Sequence, residues 1–323
     1  MPLLQRDQWP IYTLTLNPAL DVSADCPVPV TPGPKLRLDP PRSDPGGGGV
    51  NVARAILRLG GAATAVVALG GPTGAEHERM LRAEGLVPKV LPAPGDTRQS
   101  LTVTEAESGD QYRFVLPGAP WDMAREAAVL DELADLMPMG SILVLSGSQP
   151  PGLSVDFPAR LAARLAPRDI VLIADTSGAA LRHLVEAPVP GAAPRVLRMD
   201  EAEAEALAGA SLSAPRDTLG FAQSLVEKGV AQVVVMARGA NGSVLAGPGE
   251  RLHAIPPHVT VGSKVGAGDS FTGAFALALA RGATRSEALL FGTAAAAAAV
   301  MTPATELCRA EDVEALLPRC RLG

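Results

Sequence analysis

The stretch VNVARAILRLGGAATAVVALG, residues 50–70, decides the fold. In its first half Val52, Ile56 and Leu59 fall on one face of a helix, because they recur three to four residues apart. Its second half, TAVVALG at 64–70, is a short apolar run of strand length. Working outward, similar apolar runs stand at 11–16 (IYTLTL), 142–147 (ILVLSG), 169–177 (DIVLIADTS), 195–199 (RVLRM) and 232–239 (QVVVMARG), with amphipathic stretches between them. Strands without polar alternation are buried on both sides, so the pattern predicts an α/β fold: a doubly wound, mainly parallel sheet with helices on both faces.

Two segments break that rhythm. Residues 19–45 are rich in Pro and Asp, and 98–116 (RQSLTVTEAESGDQYRFVL) alternates apolar and polar residues around a Ser-Gly-Asp turn. Strand-period alternation with a hairpin signal predicts a small exposed sheet, built from about 19–45 and 96–117 and suited to act as a lid. With no repeat and no low-complexity linker, residues 1–323 are expected to form one domain carrying that lid.

A chain of 323 residues, 47% of them hydrophobic, buries a core large enough for such a domain. The formal net charge of -6 supplies no broad positive field, so nucleic acid is not an expected partner. The opening MPLLQRDQWP lacks a basic segment leading into an apolar one, and the run AAAAAAV is far shorter than the ~20 residues of a membrane span. A cytoplasmic protein without membrane contact is expected. Cys26, Cys308 and Cys320 are widely separated and have no zinc-type spacing, and the four histidines are scattered.

Chemistry concentrates in two glycine-rich helix starts. In SKVGAGDSFTGAFALALA, residues 263–280, three small residues precede Asp269 and an apolar run. Free N–H groups and the dipole there favour an anion such as phosphate; the alternative is a tight turn with Asp269 as cap. In DPGGGGVNVARAILRLGG, residues 44–61, four glycines precede Asn51, whose amide both donates and accepts. It either reads a polyol hydroxyl or caps the helix.

These two stretches closely resemble the two signatures of the PfkB (ribokinase-like) sugar kinases. The resemblance runs from about Ile11 to Asp312. Within the family it is nearest the 6-phosphofructokinase type, through YTLTLNPALD, GPKLR, DTRQSLTV, GDQYRFVLPG, SGSQPPG and ELC. It implies that Asp269 is the catalytic base and that the N–H groups of Gly266, Ala267 and Gly268 form the anion hole. It implies that Asp21, Gly47, Gly48 and Asn51 hold the acceptor sugar, with Ser146 near it. It also implies that Lys35, Arg37, Arg98 and Arg113 hold a sugar phosphate, which forked guanidinium groups suit.

The nucleotide half departs from the family pattern. Lys264 replaces a Thr, and Arg198-Met199-Asp200-Glu201-Ala202-Glu203 replaces Lys-Pro-Asn-x-x-Glu. Ala237-Arg238-Gly239 stands where Ser or Thr, one residue and Gly are usual. By the resemblance Arg198, Asp200, Glu203, Arg238, Gly239, Gly242 and Lys264 line the ATP site, and Glu203 with Asp200 serves Mg²⁺. Lys264 is expected either to contact a phosphate or to pair with Asp200.

The activity implied is ATP- and Mg²⁺-dependent phosphorylation of the 1-hydroxyl of fructose 6-phosphate. The alternatives are tagatose-6-phosphate kinase, 1-phosphofructokinase, or a phosphosugar-binding relative that no longer turns over. The resemblance also implies a homodimer through the lid sheet.

Overall fold

The computed structural model describes residues 7–303 and 306–323. Most of the opening stretch read for a leader, residues 1–6, lies outside the described residues. In chain order the elements are β1 (Ile11–Thr15), β2 (Ala19–Cys26), β3 (Arg42–Gly46), α1 (Gly48–Arg58), β4 (Thr64–Leu69), α2 (Gly71–Ala83), β5 (Lys89–Pro92), β6 (Arg98–Glu105), β7 (Gln111–Val115), α3 (Met123–Leu136), β8 (Ile142–Ser146) and α4 (Phe157–Leu165). There follow β9 (Val171–Asp175), α5 (Gly178–Glu186), β10 (Val196–Met199), α6 (Glu201–Ala208), α7 (Pro215–Glu227), β11 (Val233–Ala237), β12 (Ser243–Gly247), β13 (Glu250–Ile255), α8 (Ala267–Ala280), α9 (Arg285–Ala299), α10 (Ala310–Leu316) and β14 (Arg321–Leu322).

Ten strands form the main sheet in the order β14-β13-β12-β11-β10-β9-β8-β1-β4-β5. The seven from β11 to β5 are parallel, as the apolar runs predict. At the other edge β12, β13 and β14 pair antiparallel, a feature the sequence pattern did not announce.

Because strand side chains alternate in direction, each central strand feeds two cores. Ile11, Ile142, Val144, Ile173, Val196, Val233 and Val235 pack on one face with α1, α8 and α9. Their neighbours Leu143, Leu145 and Leu172 pack on the opposite face with α3 and α4, and Ala174, Leu197, Val234 and Met236 with α5 to α7. The apolar run after Asp269 is explained by this layering. Helix α8 lies between the sheet, α1 and α9, and most of its residues are buried, Phe271 stacking on Phe275 at 5.8 Å. Alanines fill the facing surface of α9, so the two helices approach closely.

The second sheet has the order β3-β2-β6-β7. Strands β2 and β6 run parallel, with Ala19 opposite Arg98 and Asp21 opposite Ser100. Strand β3 pairs antiparallel with β2 and places Asp44 opposite Asp21, while β6 and β7 form the hairpin around residues 106–110. No helix among the described residues is long and apolar enough to cross a membrane. The three cysteines are unbridged.

Candidate active site

Alternation also decides what gathers above the sheet. Ser146, Asp175 and Arg198 each lie two residues beyond a side chain that faces α1 and α8 (Val144, Ile173 and Val196), so all three point to that face at adjacent strand ends. The C-terminal ends of parallel strands are where open α/β sheets bind ligands.

Helix α8 begins over those ends. Gly266 takes the left-handed conformation (φ 77°), and a Cβ there would lie 2.7 Å from Leu307 Cδ2. The first intrahelical bond of α8 runs from Ser270 N to Gly266 O at 2.9 Å. The N–H groups of Ala267, Gly268 and Asp269 therefore stand in the first turn, which carries a partial positive charge.

Asp269 Oδ2 accepts from Asn51 Nδ2 at 2.9 Å. Arg198 Nη1 donates to Asp175 Oδ1 at 3.2 Å, and Asp175 Oδ2 accepts from Thr272 Oγ1 at 2.8 Å. The Arg198 guanidinium also presses on Gly268, 3.0 Å from where a Cβ would stand. The Asp269 carboxyl is pushed up to about 7, first by burial and then by the charge of Asp175; the Asn51 hydrogen bond and Arg198 oppose the rise. A base that titrates near neutrality takes up and gives back a proton with little penalty.

On the side of β2 and α1, the glycine run that leads into α1 is a fitted surface. A Cβ on Gly46 would overlap the Asp21 carboxylate, and one on Gly48 would overlap Ser146 Oγ. Gly47 has φ 138° and abuts Thr15. Burial raises the Asp21 carboxyl, a shift offset in part by Ser100 and Arg98. Arg98, half-buried at the start of β6, donates to the carbonyls of Asn17 and Leu116, each at 3.3 Å.

The remaining basic residues expected with Arg98 are not gathered there. Arg113 stands opposite Thr102, four residues along β6 and so roughly 13 Å from Arg98, exposed and bonded to Gln111. Lys35 and Arg37 are exposed in the connection from β2 to β3.

On the other side of Asp269 lies a cleft of about 800 Å³, where the resemblance sets the nucleotide. Arg198, Asp200, Gly239, Gly242, Lys264 and Gly268 line it, with apolar walls from Phe271, Val259, Ala296 and Val300. Lys264 is exposed, and among the described residues it forms no ion pair with Asp200. Asp200 caps α6: its Oδ1 accepts from Glu203 N at 2.8 Å, and Glu203 Oε2 accepts from Asp200 N at 2.9 Å. The described residues contain no group of three or more His, Cys, Asp and Glu side chains close enough to enclose a metal.

Arg238, expected at the nucleotide site, does not line the cleft. Its guanidinium is buried and donates to Leu212 O, Ser213 O and Thr218 Oγ1, away from the cleft. Val234 and Met236 face α6 and α7, and Arg238 continues that parity.

Asp175, Thr272 and Asn17 were missed from the sequence. Asn17 Nδ2 donates to Ser148 Oγ at 3.2 Å and ties the end of β1 to the loop after β8. Asp175 carried a usable signal, a carboxylate at the C-terminal end of an apolar strand, the same position that singled out Ser146.

A carboxylate held near neutrality beside the free N–H groups of a helix start, with polar side chains on one side and a cleft on the other, is an arrangement that suits phosphoryl transfer to an alcohol. The pfkB family carbohydrate kinase pattern matches residues 17–312, and the chain belongs to that family. It is 39% identical over 306 residues to ATP-dependent 6-phosphofructokinase isozyme 2 of Mycobacterium tuberculosis, covering 94% of this chain and 88% of the relative. It is also 39% identical over 304 residues to the isozyme 2 of Escherichia coli K12, covering 94% and 96%. The 1-phosphofructokinase of Xanthomonas campestris is 35% identical over 276 residues, covering 85% and 86%. Among solved structures, phosphofructokinase-2 from Escherichia coli in complex with potassium superposes with a TM-score of 0.88 at 36% identity, covering 96% of this chain and 99% of that one. Ribokinase of Arabidopsis thaliana, at 19% identity and a TM-score of 0.75, shares the fold. The chain is thus a sugar-phosphate kinase of ribokinase-like architecture.

Proposed function

We propose that the enzyme transfers the γ-phosphoryl group of ATP to the 1-hydroxyl of fructose 6-phosphate, giving fructose 1,6-bisphosphate. The observation that carries this reading is the placement of Arg98 opposite Ala19, two residues along β2 from Asp21 and within electrostatic reach of it, which sets a guanidinium suited to phosphate near a carboxylate suited to sugar hydroxyls. Relatives named ATP-dependent 6-phosphofructokinase support it over nearly the whole chain.

In this reading Asp21 and Asn51 hold sugar hydroxyls and Arg98 anchors the 6-phosphate. Asp269 takes the proton of the 1-hydroxyl as its oxygen bonds to phosphorus, while the N–H groups of Gly266, Ala267 and Gly268 hold the γ-phosphate oxygens. Lys264 and Arg198 bring positive charge to the triphosphate. The carboxylate donors of Asp200 and Glu203 suit Mg²⁺, each keeping one oxygen outside the capping box, and the ion supplies charge neutralisation on the phosphates when bound. We further propose a homodimer paired through the lid, whose outer strand β7 exposes Phe114 and Val115; light scattering tests it.

The 35% identity to a 1-phosphofructokinase favours a second reading, fructose 1-phosphate as acceptor. A panel of fructose 6-phosphate, fructose 1-phosphate and tagatose 6-phosphate with coupled ADP detection decides. Fructose 6-phosphate should give the highest kcat/KM; a tenfold preference for another sugar overturns the substrate assignment. Sugar binding without ATP binding in calorimetry would mark a non-catalytic relative.

A further inference from the structure

Arg54 stands one helical turn after Asn51 on α1, with its side chain largely enclosed. Glu84, at the end of α2, grips it from behind at two points, Nε to Oε2 at 2.7 Å and Nη2 to Oε1 at 2.9 Å. Held in that fork, Arg54 Nη1 reaches Asn51 Oδ1 at 3.4 Å, on the side of the amide opposite the bond to Asp269. We propose that Arg54, clamped by Glu84, is a positioning residue for phosphoryl transfer: it fixes the Asn51 amide so that the NH₂ group, and not the carbonyl, faces the Asp269 carboxylate.

Hydrogen-bond capacity sets the orientation of the amide. The two ends of an asparagine amide have nearly the same shape and exchange places by a half-turn of the side chain. A guanidinium only donates, and an ionised carboxylate only accepts. Between Arg54 and ionised Asp269, a single orientation of Asn51 satisfies both neighbours. Once Arg54 is removed, the carbonyl is free to turn toward Asp269. There it repels the ionised carboxylate and accepts from the protonated one. A protonated carboxyl cannot take the proton of the acceptor hydroxyl, so the clamp holds the base in its working form. This rests on the reading of Asp269 as the base.

Other charges face the same point. Asp175 on β9 favours the protonated carboxyl and Arg198 on β10 the ionised one, and both remain when α1 is altered. Asp200 acts on Arg198 from the start of α6. Asp21 on β2 and the buried His77 on α2 lie within electrostatic reach of Arg54 itself. Loss of the Arg54 charge alone would also favour protonation of Asp269, so one substitution does not isolate the orientation.

The Glu84 partner separates the two causes because they predict opposite signs. If Arg54 acts only through its charge, Glu84→Gln removes a compensating negative charge and moves the acid limb of the pH–kcat/KM profile down. If Arg54 acts by holding the amide, Glu84→Gln loosens the fork and moves the limb up.

The experiment is the pH profile of the full-length enzyme with ATP and its preferred sugar phosphate, for wild type, Arg54→Met, Glu84→Gln and Asp269→Asn. For Arg54→Met the acid limb should rise by about one pH unit, with about tenfold lower kcat/KM at pH 6 and recovery by pH 9. Glu84→Gln should move it the same way by a smaller step, and it carries the test alone if Arg54→Met does not fold. An unmoved limb in Arg54→Met, an equal loss at every pH, or a downward shift in Glu84→Gln overturns the proposal. Full activity in Asp269→Asn would instead overturn the base assignment on which it rests.

Discussion

Replacing Asp269 by Asn should abolish turnover and at the same time stabilise the fold, increasingly so as the pH rises. The native carboxyl titrates at about 7, against 3.8 for an unperturbed Asp, so the native state binds a proton that the unfolded chain has already released. Native stability therefore falls as the pH rises from 3.8 to about 7, the reverse of a salt-bridged carboxylate. Between pH 5 and pH 8 this ionisation withdraws about 2.5 kcal/mol, by linkage at 1.36 kcal/mol per pH unit. Asn keeps the shape and can still accept from Asn51, but it does not ionise. The advantage of Asp269→Asn over wild type should therefore grow by about 2.5 kcal/mol from pH 5 to pH 8, roughly 4 °C in Tm for a chain of this size. Any constant effect of the substitution cancels in that difference. Differential scanning calorimetry at the two pH values reads it directly, and the same samples should show kcat reduced by about 10²-fold or more. A Tm difference that does not change with pH would refute the account of Asp269 as a carboxyl strained by its surroundings.

Arg98→Ala should raise KM for fructose 6-phosphate at least about tenfold while leaving that for fructose unchanged, since a charge-assisted hydrogen bond contributes about 1.5–3 kcal/mol; equal effects on both sugars would remove its role as phosphate anchor. Lys264→Thr should lower kcat/KM for ATP, and a double-mutant cycle with Asp200→Asn should show coupling below about 0.5 kcal/mol, because the two side chains do not pair. An increase in kcat/KM for Lys264→Thr would make that lysine an obstruction. Arg238→Met should cost about 3 kcal/mol in urea denaturation, by stranding the carbonyls of Leu212 and Ser213, with KM for ATP changed less than about threefold. A tenfold rise in that KM at unchanged stability would return Arg238 to the nucleotide site.

The parallel core was legible because strands buried on both faces leave unbroken apolar runs, and the hairpin of the second sheet because residues 98–116 alternate around a turn. Strand β12 is buried throughout like its parallel neighbours, so nothing in SVLAG declares an antiparallel direction; β13, with Arg251 exposed and only Ala254 buried, does not share their apolar pattern. The two signatures located Asp269 and Asn51, whose contact spans 218 residues. The Asp175–Arg198–Thr272 network was not visible, because it exists only once three separate segments are in register. Arg238 shows a limit of another kind: a place in a motif does not state which face a side chain takes. Counting by twos from the buried residues of each strand does state it, and would have set Asp175 and Arg198 toward α8 and Arg238 away.

The second sheet has no hinge segment of its own. Strand β2 starts four residues after β1 ends, and β3 runs through Gly47 directly into α1, so this sheet is continuous with the helix that carries Asn51. Such a sheet cannot be exchanged as a cassette. Grafting β2 and β3 from a kinase of different sugar preference would carry new spacing into the glycine run, where Gly46 and Gly48 leave no room against Asp21 and Ser146. The β6–β7 hairpin, attached at residues 93–97 and 116–122, lies clear of Asn51, and recombination between relatives should succeed there first where Arg98 and Ser100 are kept.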